Sequence, residues 1–182
     1  MIRDKQIKEK QCLLACDPSL TAWGFSVITA DGIVLDADCI VTKSEAKSRR
    51  IRKGDDRVRR TQEINTTLLS LIKKYNIRYI VSELPHGSKS AAAAVMIGIV
   101  IGVLQTLSDT LNIGLEWYSE GDAKKEILGK RSATKDEMIA AIKKRYTVPW
   151  RNAGFRDEAI ADSMAIFHLA SKTSPAIKLF FK

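Results

Sequence analysis

Short apolar runs alternate with longer helical patterns along the chain. Gln11–Asp17 is apolar from Cys12 to Cys16 and stops on a carboxylate, which reads as a buried strand. Trp23–Ala30 and Ile33–Val41 read as two more strands joined at Asp31-Gly32, a strong hairpin signal. The first three strands are therefore predicted to form an antiparallel meander. From Asp55 to Tyr75, the residues Val58, Ile64, Leu68, Leu71 and Ile72 recur at helical spacing. Arg78–Leu84 is a further buried strand, ending near Glu83 and broken by Pro85-His86-Gly87. A long Ala- and Gly-rich helix is predicted over Ser90–Leu111, then a fifth strand over Gly114–Tyr118. Helices follow at Asp122–Leu128, Lys135–Tyr146 and Phe155–Ser171. The second of these is announced by Thr134 with Glu137 three residues on, a capping box. A meander followed by alternating helices and strands predicts an α/β fold, with a mixed five-stranded sheet and helices on both faces.

The acids fall at telling places. Asp17 ends the first strand and Glu83 the fourth. If those strands are neighbours, two carboxylates meet at one sheet edge and repel unless a cation lies between them. Hard divalent cations such as Mg²⁺ bind oxygen sites of this kind. The bland alternative is two strand-end acids facing solvent. Asp162 lies in the apolar segment Ile160–Phe167, and Glu158, four residues earlier, shares its helical face. Asp157 and Glu158 lie near the helix start, where an acid simply favours the positive end, and one of the pair is expected to do only that. Asp17, Glu83, Asp162 and either Glu158 or Asp157 would make a cluster able to hold two Mg²⁺ ions about 4 Å apart and drive in-line phosphodiester hydrolysis. With only His86 and His168 present, a Ser/His/Asp triad is not plausible.

Length and charge narrow the choice. With 182 residues and 45% hydrophobic content, the chain suits one domain over 1–182, with a basic N-terminal extension (1–11) and a C-terminal tail (172–182). Its net charge of +9 favours an anionic partner. Lys43–Arg60 holds nine Lys or Arg against three acids in eighteen residues, which favours DNA contact over a merely solvated face. Cys12, Cys16 and Cys39 form no CxxC pair, so a zinc site is not expected and a reducing compartment such as a bacterial cytoplasm is. The N-terminus shows no signal-peptide core. The apolar run Ala91–Leu104 is too short for a membrane span and is expected to be a buried helix, so no membrane partner is expected.

Four stretches resemble the RuvC family of Holliday junction resolvases, as a phage or other divergent branch, over about Cys12 to Ala170. "LACDPSLTAWGFSVI" is similar to the family's first strand and hairpin, "IVSELPHGSKSAAAAVMIGIVIGVL" to its strand with the catalytic Glu, "AKKEILGKRSATKDEMIAAI" to its basic segment, and "DEAIADSMAI" to its closing helix. The resemblance implies an RNase H-like fold. It implies metal ligands at Asp17, Glu83 and Asp162 and two Mg²⁺ ions for which Mn²⁺ substitutes; helical geometry favours Glu158 over Asp157 as the fourth ligand. It implies a catalytic Lys124 and a DNA-contacting Lys135. Ser88, Lys89, Arg49, Arg50, Arg52 and Lys53 are further expected DNA contacts. Two positions depart from the family pattern. Ala159 stands where an acid or His often precedes the last Asp, and His86 stands near the usual aromatic wedge.

The function expected is a Mg²⁺-dependent endonuclease that nicks four-way junctions symmetrically as a homodimer; the Ala/Gly helix is expected to pack tightly on the sheet, against its partner in the twofold dimer that the resemblance implies, or both. A looser nuclease on forks and flaps, a non-catalytic junction-binding protein, and an RNase H-type enzyme on hybrids remain as alternatives. Trp23 and Trp117 are expected in the core, Trp150 in packing rather than on DNA, and Phe180 and Phe181 docked on the body or a dimer mate.

Overall fold

A chain that buries its first strand on both faces needs apolar side chains at every position, and Cys12–Asp17 (β1) supplies them. Cys12, Leu14 and Cys16 enter one core cluster, while Leu13 and Ala15 enter the other. The structure is a computed structural model and describes residues 11–45, 51–88 and 90–181. β1 is the central strand of a five-stranded sheet of order β3-β2-β1-β4-β5.

β2 (Ala22–Thr29) and β3 (Val34–Val41) are antiparallel neighbours, as the Asp-Gly signal predicts. Gly32 turns the hairpin at φ +82°, a left-handed backbone that favours glycine. Helix α1 (Lys53–Tyr75) then returns the chain, ending on left-handed Asn76. β4 (Ile77–Glu83) runs parallel to β1, and after helix α2 (Ala91–Leu111) strand β5 (Gly114–Tyr118) runs parallel to β4. Helices α3 (Glu120–Leu128), α4 (Lys135–Arg145), α5 (Gly154–Thr173) and α6 (Pro175–Phe180) complete the chain.

The helices divide between the faces. Ile64, Leu68 and Ile72 of α1 and Val100 and Leu104 of α2 pack with Trp23 and Ile80 on one side. Met138, Ile142, Ile160 and Met164 of α4 and α5 pack with Leu13 and Val81 on the other. Trp117 and Trp150 are both partly buried against these clusters, and Lys143 lies over the Trp150 ring. The tail docks on the body: Ser174 caps α6 and donates to Glu116, and the Phe181 ring lies 5.6 Å from that of Phe167.

Three expectations change. α6 is a separate short helix that the pattern did not announce. Val58 follows helical spacing but is 59% exposed, because it lies on the side of α1 that faces an open groove with Val95 and Ile99 of α2. α2 is not a buried helix. By length and composition it could cross a membrane, but here it lies against the sheet along one stripe, burying only Val100, Leu104, Leu107 and Ser108. Its first half is open and apolar at Ala91, Ala92, Ala94, Val95, Gly98 and Gly102, whereas Gln105, Thr106, Asp109 and Thr110 make the exposed side of its last turns polar.

Helix and sheet meet closely at Gly24. A Cβ there would lie 2.2 Å from the Ala159 carbonyl oxygen of α5. Backbone meets backbone because β2 presents no side chain at that position, and the buried Ser26–Ser163 hydroxyl pair (2.8 Å) pins the next turn. Gly24→Ala forces the helix to shift, and it should cost about 1–3 kcal/mol, the usual range for overpacking. Urea denaturation measures this; an unchanged midpoint would contradict the backbone contact.

Candidate active site

Three parallel strands deliver their last residues to the same sheet edge. Cys16 of β1 pairs with Ser82 of β4, so Asp17 and Glu83 follow side by side. Glu83 pairs in turn with Tyr118 at the end of β5, which brings the start of α3 to that edge. α5 crosses above. Asp17 is the register partner of Gly24, where Ala159 makes its close contact, and Asp162 lies one turn further along the helix. Glu83, Glu120, Lys124 and Asp162 line one narrow cleft with Ala123, Met138, Ala165 and Ile166.

The carboxylates act on one another. Burial pushes Asp17 well above the usual range, and the charges of Asp162, Glu83 and Glu120 push it further. Burial, then Glu120 and Asp162, raise Glu83 to about 7. Burial raises Asp162 to about 6, with Lys124 opposing and Glu120 and Glu158 adding to the rise. Acids raised by burial and by neighbouring carboxylates at one sheet edge are oxygen donors short of a cation, and the donor chemistry fits a hard divalent ion. As the side chains stand, no three acid, imidazole or thiol groups among the described residues are grouped to hold one ion together.

The neighbours of Asp162 take different directions. Asp157 is buried and accepts from the Arg151 backbone N–H at 3.0 Å, an anchoring contact at the helix start. Glu158 pairs with Lys135 and adds its charge to Asp162, so it belongs to the cluster side. Ala159 is buried against Gly24 and offers no ligand.

The basic residues divide likewise. Lys124 is half-buried and pairs with Glu120, and its charge acts on Asp17, Glu83 and Asp162. Lys135 is exposed at the rim. Ser88 donates to the Ser90 carbonyl and accepts from the Ser90 N–H, ordering the turn before α2. His86 is exposed, and its charge acts on Glu83. Within the basic stretch, Arg52 pairs with Asp55 and remains exposed, and Lys53 is exposed. Arg60 departs from the expected strand-tracking surface. It is buried and donates to Thr42, the Leu20 carbonyl and Thr21, clamping the loop after Asp17. Arg59 is likewise engaged with Asp56, Glu63 and the Lys43 carbonyl. Arg49, Arg50 and Lys89 lie outside the described residues.

Glu120 was missed. An acid in a first helical turn reads as a dipole contact. The available signal was its place just after β5, at the same edge as Asp17 and Glu83.

A family model described as crossover junction endodeoxyribonuclease RuvC matches residues 13–168. The chain is similar to the protein so named from Ehrlichia chaffeensis, 24% identical over 164 residues covering 89% of this chain and 98% of the relative. It is also similar to its counterpart from Shewanella putrefaciens, 25% identical over 165 residues covering 89% and 88%. Among solved structures it resembles Thermus thermophilus RuvC in complex with a Holliday junction substrate, with a TM-score of 0.67 at 16% identity, covering 88% of this chain and 92% of that one. The yeast mitochondrial Holliday junction resolvase gives 0.63 at 13% identity, covering 93% and 81%. These likenesses show the RNase H-like fold expected from the sequence.

The raised acids set a pH dependence. A carboxyl whose folded value is raised holds its proton longer in the folded chain. It therefore stabilises fully below the ordinary value of about 4 and loses that contribution as pH rises through the folded value. For Glu83 that value is about 7. Metal-free protein should show a Tm that falls from acid to neutral pH, with a shallower slope in Glu83→Gln. Thermal melts in chelator check this, and identical slopes would refute it.

Proposed function

Because the chain belongs to the RuvC family of crossover junction endodeoxyribonucleases, we propose that it resolves Holliday junctions as a divalent-metal-dependent homodimer that nicks two strands symmetrically. The observation that carries this reading is the convergence of Asp17, Glu83 and Asp162 with Lys124 at one sheet edge. The relative in complex with a Holliday junction substrate supports the choice of DNA.

Asp17, Glu83, Asp162 and Glu158 are the residues that would hold Mg²⁺, with Mn²⁺ as a substitute. When bound, a pair of such ions activates the attacking water and stabilises the leaving 3′ oxygen. Asp17, Glu83 and Asp162 must give up their protons to serve, which burial and neighbouring negative charge resist until a cation offsets the charge. Lys124 presents a half-buried ammonium to the phosphate, where a charged donor stabilises charge developing in the transition state. Exposed Lys135, Arg52 and Lys53, together with Ser88, Lys89, Arg49 and Arg50, hold the flanking backbone, a salt-dependent contribution. The carbonyl clamp of Arg60 keeps the loop after Asp17 in place.

The homodimer reading rests on α2. Val95 is 48% exposed, and with Val58, Ile99 and Gly54 it lines an apolar groove of about 430 Å³ between α1 and α2. A Cβ at Gly98 or Gly102 would meet nothing within 4 Å, so these positions leave room for a second helix. Two-fold pairing through this self-complementary face presents two equivalent sites to the two strands that a four-way junction requires to be cut. The free cysteines Cys12, Cys16 and Cys39 are all buried, in keeping with a reducing cytoplasm.

A second reading, a less strict nuclease on forks and flaps, is favoured by one feature. The loop after Glu83 presents His86 and no aromatic residue. Cleavage of matched four-way, three-way and flap substrates with nick mapping separates the two: paired symmetric nicks on four-way DNA support the resolvase, and equal cutting of all three supports the looser enzyme.

Asp17→Asn and Glu83→Gln should each reduce cleavage by roughly a hundredfold or more while junction binding in gel shifts persists. Near-normal cutting by either would remove its residue from the site. Val95→Asp should convert a dimer to a monomer in sedimentation; a wild type that sediments as a monomer, or a variant that remains dimeric, would contradict the α2 interface.

A further inference from the structure

Lys124 sits where a divalent ion is wanted. Its ammonium reaches the cleft lined by Glu83 and Asp162, which offers only about 10 Å³ of free space, about what one water needs. A half-buried ammonium requires a partner. Asp162 and Glu83 are within its electrostatic reach, and pairing with either would occupy an oxygen donor of the cluster. It pairs instead with Glu120, one helical turn back on α3, on the same helix face. Glu120 is the more exposed partner, at 46% against 19% for the lysine side chain, so the pair draws the ammonium toward the mouth of the cleft. Burial works against the Lys124 charge, and Glu120, together with Asp162 and Glu83, more than offsets it. α3 itself is firmly set: Ser119 caps it, Ala123 and Ile127 are buried, and left-handed Gly129 ends it.

We infer that Glu120 is a positioning residue that holds the Lys124 ammonium at the mouth of the cleft and so keeps it from competing with divalent ions for Asp162 and Glu83. The inference rests on the metal-binding reading of those acids. Holding the lysine at the mouth also leaves its ammonium facing the side from which a phosphate arrives. Charge bookkeeping gives the arrangement a second consequence. Glu120 and Lys124 cancel, so the charge of Asp17, Glu83, Asp162 and Glu158 is left to the incoming ions. Removing Glu120 both adds net positive charge and frees the ammonium to fold onto the acids.

The test is a double-mutant cycle read by calorimetric Mn²⁺ binding without DNA, so that it does not depend on cleavage. Glu120→Ala should weaken Mn²⁺ binding roughly tenfold, equivalent to ~1.4 kcal/mol. Lys124→Ala in the wild-type background should change binding by less than about threefold, because the paired ammonium is already withdrawn. The same Lys124→Ala in the Glu120→Ala background should restore most of the lost affinity. A simple charge effect would instead make Lys124→Ala tighten binding by the same factor in both backgrounds, and that additivity would overturn the inference. So would a Glu120→Ala protein that binds as wild type does. A wild type that takes up no Mn²⁺ would overturn the metal reading and, with it, this inference. Glu120→Gln, which keeps an oxygen acceptor for the ammonium, should bind more tightly than Glu120→Ala; equal weakening would argue for charge alone.

Discussion

Repulsion between carboxylates forced to one edge of a sheet is the constraint around which the molecule is built. Asp17, Glu83 and Asp162 come from β1, β4 and α5, far apart in sequence; Asp162 raises the proton affinity of both Asp17 and Glu83, and Glu83 raises that of Asp17. A fold bears such a conflict only if the elements that impose it are well anchored. β1 is buried on both faces, β4 is locked to it in parallel register, and α5 rests backbone-on-backbone against β2 at Gly24. The core thus has a functional consequence: it fixes the spacing of charges that would otherwise separate.

Around that conflict the chain arranges its cations in graded depth. Arg60 is buried and structural, Lys124 is half-buried and paired, and Lys135, Arg52 and Lys53 are exposed. Burial decides the task. A buried guanidinium with three oxygen partners orders a loop, whereas an exposed lysine remains available to a phosphate backbone at modest and salt-dependent strength. A uniformly basic stretch in the sequence is therefore not a uniform binding surface.

Much of this was legible beforehand. A carboxylate closing an apolar run marks a strand end at an edge, and that pattern found Asp17 and Glu83. The break in apolar character within the last long helix found Asp162. Helical geometry favoured Glu158, and the structure turns Asp157 to the Arg151 backbone instead. Other features were hidden for physical reasons. Glu120 has the same appearance as an acid complementing a helix dipole, and only the parallel pairing of β5 with β4 reveals that its helix starts at the crowded edge. The open side of α2 was hidden because hydrophobicity reports that a face needs cover, not whether the sheet or another molecule covers it. Arg60 was hidden by its neighbours, since nothing in a run of basic residues shows which one points inward.

The central claim is that these acids gather divalent ions at one place. The most direct measurement is anomalous diffraction from crystals equilibrated with Mn²⁺. The account predicts anomalous peaks enclosed by Asp17, Glu83 and Asp162, with Glu158 at their margin, and their loss in Asp17→Asn crystals. Full Mn²⁺ occupancy elsewhere on the molecule, with that edge empty, would contradict it.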